Sequence, residues 1–388
     1  MSDGTLQTLD VSMLDDVNNA SGLIQLDSNA KIPACSGAAI TGLSSVTKNA
    51  SDPAIATNPS GGVGTVWQNT TSGEMYVCTD ATAGANVWTN VGAGSGDVAP
   101  FHAWGTNYGY SMGGSTSGGS LINTIDRFSF TSQSNATDVG DCTRTMYLSH
   151  GGSSSTTHGY CAGGDDSPSA YAHNVINKVQ FVATANATDI GNLTQARYGS
   201  AGSFSATYGY AIGGRTSPGE VNTIDKWTFA SDSDATDVGD LVATARNFAG
   251  HSSSTYGYCS GGVPATNVIQ KFLFSSDGNA TDIANLVTNK RNNVGTQSST
   301  YGYTTGNYPN SNEIDKFPFA TDSDASDVGN ILANNDMMTG HSATDYGYIT
   351  GGRNNANVIQ RFSISSDGNS VDWADLTVNK SVASGSQY

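Results

Sequence analysis

Charge is scarce in this 388-residue chain and leans one way: Asp, Glu, Lys and Arg make up 13% of it, with 33 acids against 16 bases. So few bases exclude the basic footprint of a nucleic-acid partner, and an anionic membrane surface would repel a chain of net charge −17. No apolar run approaches the length of a membrane span, so insertion into a bilayer is not expected. The opening MSDGTLQTLD is polar and acidic, without the apolar stretch of a secretory signal, and synthesis in a reducing cytosol is expected. Cysteine is sparse too. Cys35, Cys78, Cys142, Cys161 and Cys259 are odd in number and lack CxxC spacing, so they read as small buried thiols rather than a disulfide frame or a zinc site.

What is abundant is Gly, at 47 residues, together with Ser, Thr, Asn and Asp. Gly adds backbone entropy and short polar side chains compete for backbone hydrogen bonds, so long helices are disfavoured. Many short strands joined by tight turns suit this mixture, and the fold class expected is all-β. The acids read as exposed turn residues that keep a particle soluble.

Internal repetition decides the architecture. Tyr-Gly-Tyr or a near copy begins at Tyr108, His158, Tyr208, Tyr256, Tyr301 and Tyr346, at intervals of 50, 50, 48, 45 and 45 residues. Each copy has a small-residue stretch such as AGHSSST (249–255), then a strand such as YGYCSGG (256–262) ending in paired glycines. An alternating apolar strand follows, as in NTIDRFSF (123–130), NTIDKWTF (222–229), NVIQKFLF (267–274) and NVIQRFSI (357–364). A turn and a fourth strand close the copy, as in DSDATDVGDL (232–241) and DGNATDIANL (277–286). Four short strands per period of this length make a propeller blade. Alternation puts Ile224 on one side of its strand and Trp227 and Phe229 on the other, which suits a sheet covered on both faces. The small-residue strand fits the innermost position, where blades converge.

The order of these signals resembles the Kelch repeat. Gly213-Gly214, Gly261-Gly262 and Gly351-Gly352 match its double glycine, and Arg197, Arg246 and Arg291 match its terminal basic residue. Val139, Ile190, Val238, Ile283 and Val328 stand where that repeat has tryptophan; only the last copy has one, Trp373. Copy five reads Gly306-Asn307, and copy six starts from Asp336 without the arginine. The resemblance implies a six-bladed Kelch-like β-propeller over residues 100–388. The C-terminal SVASGSQY aligns with RNNVGTQS (291–298), Gly385 on Gly295 and Gln387 on Gln297. The last strand should therefore complete the blade that begins at Tyr108 and leave no open edge.

Residues 1–99 lie outside the repeat. GLIQLDSNAKIPACSGAAITGL (22–43) resembles a segment of bacteriophage tail fibres, through Gly22, Leu23, Leu26, Asp27, Lys31, Pro33, Ala34, Gly37, Ile40, Thr41 and Leu43; Ala30 stands where Gly is usual. The resemblance implies an extended segment over 1–59 that attaches to the virion and trimerises, since its few apolar residues need partner chains for a core. GTVWQNTTSGEMYVCTDATAGANVWTNVG (64–92) is similar to a β-hairpin module of fibre proteins, with Trp67, Tyr76 and Trp88 as its core. The module and the linker GAGSGDVAP (92–100) make up 60–99. VSMLDDVNNA (11–20) could form one short helix.

Galactose oxidase is a Kelch-type propeller, and its copper chemistry needs two His, two Tyr and a Cys together. His251 and His341 share one position in copies two apart, but no Tyr-His pair accompanies them, so they read as polar lining of a central channel. SSDGNSVDW (365–373) is similar to the structural Asp-box turn of sialidases, with no arginine triad. Asp232/Asp234/Asp237 and Asp322/Asp324/Asp327 have D-x-D-x-x-D spacing but lack the Gly and Glu of a calcium loop, and read as Asx turns. Asp138, Asp189, Asp237 and Asp282 are expected to pair with arginines between blades.

Neither a cofactor nor a metal nor catalysis is expected. The copies differ most in the loop after the double glycine, which carries Asp165, Asp166, Tyr171 and His173 in copy two, Arg215 and Glu220 in copy three, Tyr308 in copy five and Arg353 in copy six. Tyr171, His173, Arg215, Tyr308 and Arg353 are the candidate binding residues, because aromatic and hydrogen-bonding groups on rigidly mounted loops suit recognition. The function expected is that of a bacteriophage virion fibre protein, a homotrimer that touches other virion proteins at its N-terminus and a host-surface glycan or protein through its propeller. A purely structural decoration protein is the alternative and a propeller enzyme the third reading.

Overall fold

The computed structural model describes residues 46–91 and 101–388, apart from 117, 149–151, 167–171, 310 and 355–356. Among the described residues every regular element is a strand, and the fold is all-β. The helix considered over 11–20, the fibre-like segment 22–43 and Cys35 lie outside them. Two compact units divide the chain, Met1–Pro100 and Phe101–Tyr388.

In the first unit β1 (Thr47–Asn49), β2 (Val66–Asn69), β3 (Met75–Asp80) and β4 (Val87–Asn90) form one sheet in that order, β1 parallel to β2 and the rest antiparallel. Trp67, Tyr76, Cys78 and Trp88 are its core, the two indoles edge-on at 5.8 Å. The sheet begins upstream of residue 60, because β1 pairs with β2 and Trp67 Nε1 donates to the Ser51 carbonyl at 2.9 Å.

Six antiparallel four-stranded sheets make the second unit. The first holds β5 (Tyr108–Ser115), β6 (Leu121–Ser129) and β7 (Thr137–Asp141). Next come β8 (Gly152–Ser154), β9 (His158–Asp165), β10 (Ala172–Gln180) and β11 (Thr188–Asn192), then β12 (Ala201–Phe204), β13 (Tyr208–Arg215), β14 (Glu220–Thr228) and β15 (Thr236–Asp240). The fourth sheet is β16 (Ala249–Ser252), β17 (Tyr256–Ser260), β18 (Thr266–Leu273) and β19 (Thr281–Lys290). The fifth is β20 (Val294–Gln297), β21 (Tyr301–Asn307), β22 (Ser311–Pro318) and β23 (Ser326–Asn330). The sixth is β24 (Thr339–Ser342), β25 (Tyr346–Thr350), β26 (Val358–Ser363) and β27 (Val371–Asp375). The last strand, β28 (Ser384–Gln387), joins the first sheet on the open side of β5, Ser384 opposite Met112 and Gln387 opposite Gly109. The arrangement is propeller-like.

Both faces of each sheet are used, as the alternation requires. Ile224 packs with Tyr210 and Phe248, while Trp227 and Phe229 turn to Tyr160 and Ile176 of the preceding sheet. In four copies the second Tyr of the motif stacks on the Phe just past the third strand of a neighbouring sheet: Tyr160 on Phe229 at 4.7 Å, Tyr210 on Phe274 at 5.1 Å, Tyr258 on Phe319 at 4.6 Å and Tyr348 on Phe130 at 4.7 Å; Tyr303 meets Ile364 instead. The glycine between the tyrosines makes room for an aromatic ring, since a Cβ on Gly209 would run into the Trp227 indole.

Sheet is tied to sheet by a belt of turn residues. An Asn or Asp in each outer turn accepts an N–H from the fourth strand of the preceding sheet: Asp141 to Asn186 at 3.0 Å, Asn192 to Asp234 at 2.8 Å and Asp240 to Asn279 at 3.0 Å. Asn285 to Asp324 at 2.8 Å, Asn330 to Asn369 at 3.0 Å and Asp375 to Asn135 at 3.1 Å complete the belt, the last from the sixth sheet to the first. This accounts for the Asp-rich turns. Asp232 pairs with Lys178, Asp234 serves the belt, and Asp237 caps its own strand through the Gly239 N–H at 3.2 Å, so the three carboxylates serve separate partners. The Asp–Arg pairs expected from Asp138, Asp189 and Asp237 are therefore corrected: these carboxylates accept from Gly140, Gly191 and Gly239, two residues on.

The ion pairs sit deeper and use a different aspartate. Arg197 meets Asp225 at 3.0 Å, both fully buried, and Lys290 and Lys380 hold the same relation to Asp315 and Asp126 at 3.3 Å. Desolvation lowers the pKa of Arg197 and of Lys380, and the carboxylates beside them pull it back. Burial raises Asp315 to about 6 against the pull of Lys290, whose shorter contact is Glu313 at 2.9 Å. Between these sheets the equivalent site is neutral: Asn177, Gln270 and Gln360 accept the N–H of Thr143, Val242 and Leu332 at 2.9 Å each. Charged and neutral sites thus alternate from sheet to sheet.

Candidate functional site: the loop face

Each second strand runs from Tyr-Gly-Tyr at one face of the unit to the double glycine at the other, so the loops that differ between copies share one face. Backbone hydrogen bonds fix them. The residue after the double glycine bridges to the segment entering the same sheet, as Arg215 does to Tyr198 (2.7 and 3.0 Å), Val263 to Arg246, Tyr308 to Arg291 (3.2 Å) and Arg353 to Asp336 (3.1 Å). Just past each bridge lies a residue with positive φ: Leu148, Gly199, Asn247, Asn292, Met337 and Val382. These are joined head to tail, Asn247 N–H to Gly199 C=O at 2.7 Å, Asn292 to Asn247 at 2.9 Å, Met337 to Asn292 at 3.0 Å and Val382 to Met337 at 2.8 Å. Unlike side chains are thus mounted on one stiff rim.

The structure brings some of the expected residues together and separates others. Arg353 lies with its guanidinium 5.0 Å from the Tyr308 ring centre, and Arg291 stands 4.6 Å from the same ring. Tyr308 is 37% exposed. Asp336 holds Arg353 through Nε at 3.0 Å and Nη2 at 3.1 Å. Arg215 belongs to a second group: it and Arg246 both reach Glu220 Oε1 at 3.1 Å. The backbone N–H of Glu220 and these two guanidiniums hold its carboxyl below the usual range. His173 is buried on β10, 6% exposed, and burial with the nearby Arg144 charge lowers its pKa to about 4. Arg144 and Asp166 pair at 2.8 Å. Tyr171 lies outside the described residues.

Arg246 and Arg291 match the same terminal basic residue of the repeat as Arg197 but are not equivalent to it. They differ by one position. Arg197 follows Leu193 by four residues and points inward to Asp225, whereas Arg246 and Arg291 follow Leu241 and Leu286 by five and stand on the rim.

The histidines are corrected as well. Rather than lining a channel, His251 and His341 are 1% exposed. His251 Nδ1 donates to the Thr296 carbonyl at 3.0 Å and Nε2 accepts from Ser260 Oγ at 3.0 Å; His341 does the same with Ser386 and Thr350 at 3.2 Å. Burial lowers both to about 4, so the rings are neutral and their nitrogens are engaged in joining first strands. Ser153, Ser203 and Ser386 at the same position donate to Ser203, His251 and Ser153 carbonyls at 3.1, 3.1 and 2.9 Å. A cavity between the first strands is lined by Gly152, Gly202, Gly250, Gly295, Gly340 and Gly385 among others, and Gln297 and Gln387 also face it. Both glutamines donate to the Ala103 carbonyl, at 2.6 and 3.1 Å, and Phe101 stands edge-on to Phe204 at 5.9 Å. The chain entering the second unit is therefore bound to the fifth and first sheets at the ends of their first strands, on the face opposite the loops. Among the described residues no three His, Cys, Asp or Glu side chains are grouped as a metal would need. No protein-family model matches the chain, and comparison with curated proteins finds no match.

Proposed function

We propose that the protein is a bacteriophage virion fibre protein whose second unit is a closed six-bladed Kelch-like propeller that adheres to a host-surface receptor, a glycan, through its loop face. The observation that carries this is the contrast between platform and rim. The belt bonds, the aromatic stacks and the αL rim repeat from sheet to sheet, while the bridges they hold display Ser115, Asp165, Arg215, Val263, Tyr308 and Arg353 in turn. A rigid mount with unlike side chains at equivalent points suits recognition. Closure is supported by β28 on β5 and by the Asp375–Asn135 bond. The fibre reading rests on the resemblance of residues 22–43, which implies a homotrimer joined to other virion proteins.

Labelled full-length protein should bind cells of a susceptible bacterium, and Arg215→Ala with Arg353→Ala should weaken that binding with an unchanged melting temperature. Undiminished binding would remove the loop face from the account. Mass measurement should return three chains, and a monomer would overturn the fibre reading. Hydrolysis of isolated host polysaccharide would overturn adhesion without catalysis.

A further inference from the structure

The chain carries a net charge of −17, yet its loop face gathers cations. Arg215, Arg246, Arg291 and Arg353 occupy the third to sixth sheets in succession, and among the described residues they pair with only Glu220 and Asp336. Glu220 receives Arg215 and Arg246 on a single oxygen, and Arg246 uses Nε for it, which leaves its paired Nη groups without a described partner. Arg291 has no carboxylate within 4.0 Å among the described residues; its side chain meets the face of Tyr308. Tyr308 carries Arg353 as well and is one of the few large apolar side chains left exposed.

The four residues share one strip of backbone. Asn247, Asn292 and Met337 are consecutive members of the hydrogen-bonded rim, and the residues just before them are Arg246, Arg291 and Asp336. Tyr308 and Arg353 are bridged to Arg291 and Asp336. A guanidinium over an aromatic ring keeps its in-plane N–H groups free, and their fork matches a carboxylate or phosphate. A partly exposed tyrosine carrying two guanidiniums fixes their positions at the surface.

We infer that Arg246, Arg291, Tyr308 and Arg353 form a subsite for an anionic sugar, a glycan residue bearing a carboxylate or a phosphate. This rests on the adhesion reading and names the class of receptor. Arg291 supplies the charge that no protein carboxylate offsets, Arg246 and Arg353 flank it, and Tyr308 holds the Arg291 and Arg353 guanidiniums in place beside the sugar.

Calorimetric titration of the full-length protein with a hyaluronan hexasaccharide, glucose 6-phosphate and maltohexaose tests it. At least one anionic probe should bind about tenfold or more tightly than neutral maltohexaose, and the two anionic arms tell carboxylate from phosphate. Arg291→Gln and Tyr308→Ala should each weaken that binding about tenfold, and added salt should weaken it further. Lys316→Gln, on a third strand away from the rim, is the control and should change nothing. Failure of both anionic probes to bind, or binding indifferent to Arg291→Gln, overturns the subsite and leaves adhesion to cells standing. Anionic probes that bind a protein unable to hold cells would overturn adhesion and keep the subsite.

Discussion

Single residues in this protein earn their place by what they face. Arg197 and Asp225 are both fully buried and touch at 3.0 Å. Removing one leaves an uncompensated buried charge, so Arg197→Met should cost about 3–5 kcal/mol. The chain already contains the neutral version of this site, Met146 beside Asn177. Arg197→Met with Asp225→Asn should therefore recover most of the loss in denaturant unfolding; a double variant no better than the single one would contradict the pairing. His251 gives a second prediction. Its folded value is about 4 against an ordinary 6.5, so between those values the unfolded chain takes up a proton that the folded chain refuses. Stability present above pH 6.5 is then lost as the pH falls toward 4. His251→Asn keeps a donor for the Thr296 carbonyl and should flatten that loss in melts taken from neutral pH to about pH 4; an unaltered slope would count against it. The sequence showed His251 and His341 as a repeated pair but not their direction, because a side chain on a first strand can face the channel or the adjoining strand. Burial chose the latter.

Strands were the most legible elements. The Ile-Asp-Lys-Trp alternation predicts two apolar faces, and Ile224 and Trp227 do lie in different clusters. Bulges were not legible: the β14–β15 register slips between Ile224 and Asp225 at Gly239, whose φ is 158°, and no side-chain period announces such a slip. Nor was the close approach of first strands readable beyond their small composition. A Cβ on Gly295 would meet the Gly250 carbonyl, and one on Gly340 the Gly295 carbonyl. Gly295→Ala should therefore destabilise by about 1–3 kcal/mol or more through overpacking. Gly278→Ala, with nothing within 4 Å of the new methyl, is the matched control. Comparable unfolding midpoints for the two variants would mean that the first strands have room to separate.

The whole second unit alternates in kind. Charged sites at Asp126, Asp225 and Asp315 fall on the first, third and fifth sheets, and amides at Asn177, Gln270 and Gln360 on the others. Ser252, Ser342 and Ser154 likewise accept the N–H of Phe204, Gln297 and Gln387 from odd to even sheets, at 2.9, 2.9 and 3.0 Å. The last of these bonds depends on the C-terminal strand, and so does much else. The Tyr388 carbonyl accepts from Thr106, Asn107 and Tyr108 at 3.0, 2.7 and 2.9 Å, Ser386 reaches Ser153, and Gln387 reaches Ala103. Deleting residues 381–388 strips β5 of its partner and exposes a strand edge. It also unties the first sheet from the second along their first strands. The melting temperature should fall by about 10 °C or more, since each kilocalorie is worth a few degrees at this size. Hydrogen exchange should place the loss first in β5–β7. A truncated chain that melts like the full one would mean that three strands suffice for the first sheet, and the proposed closure by the C-terminus would have to be abandoned.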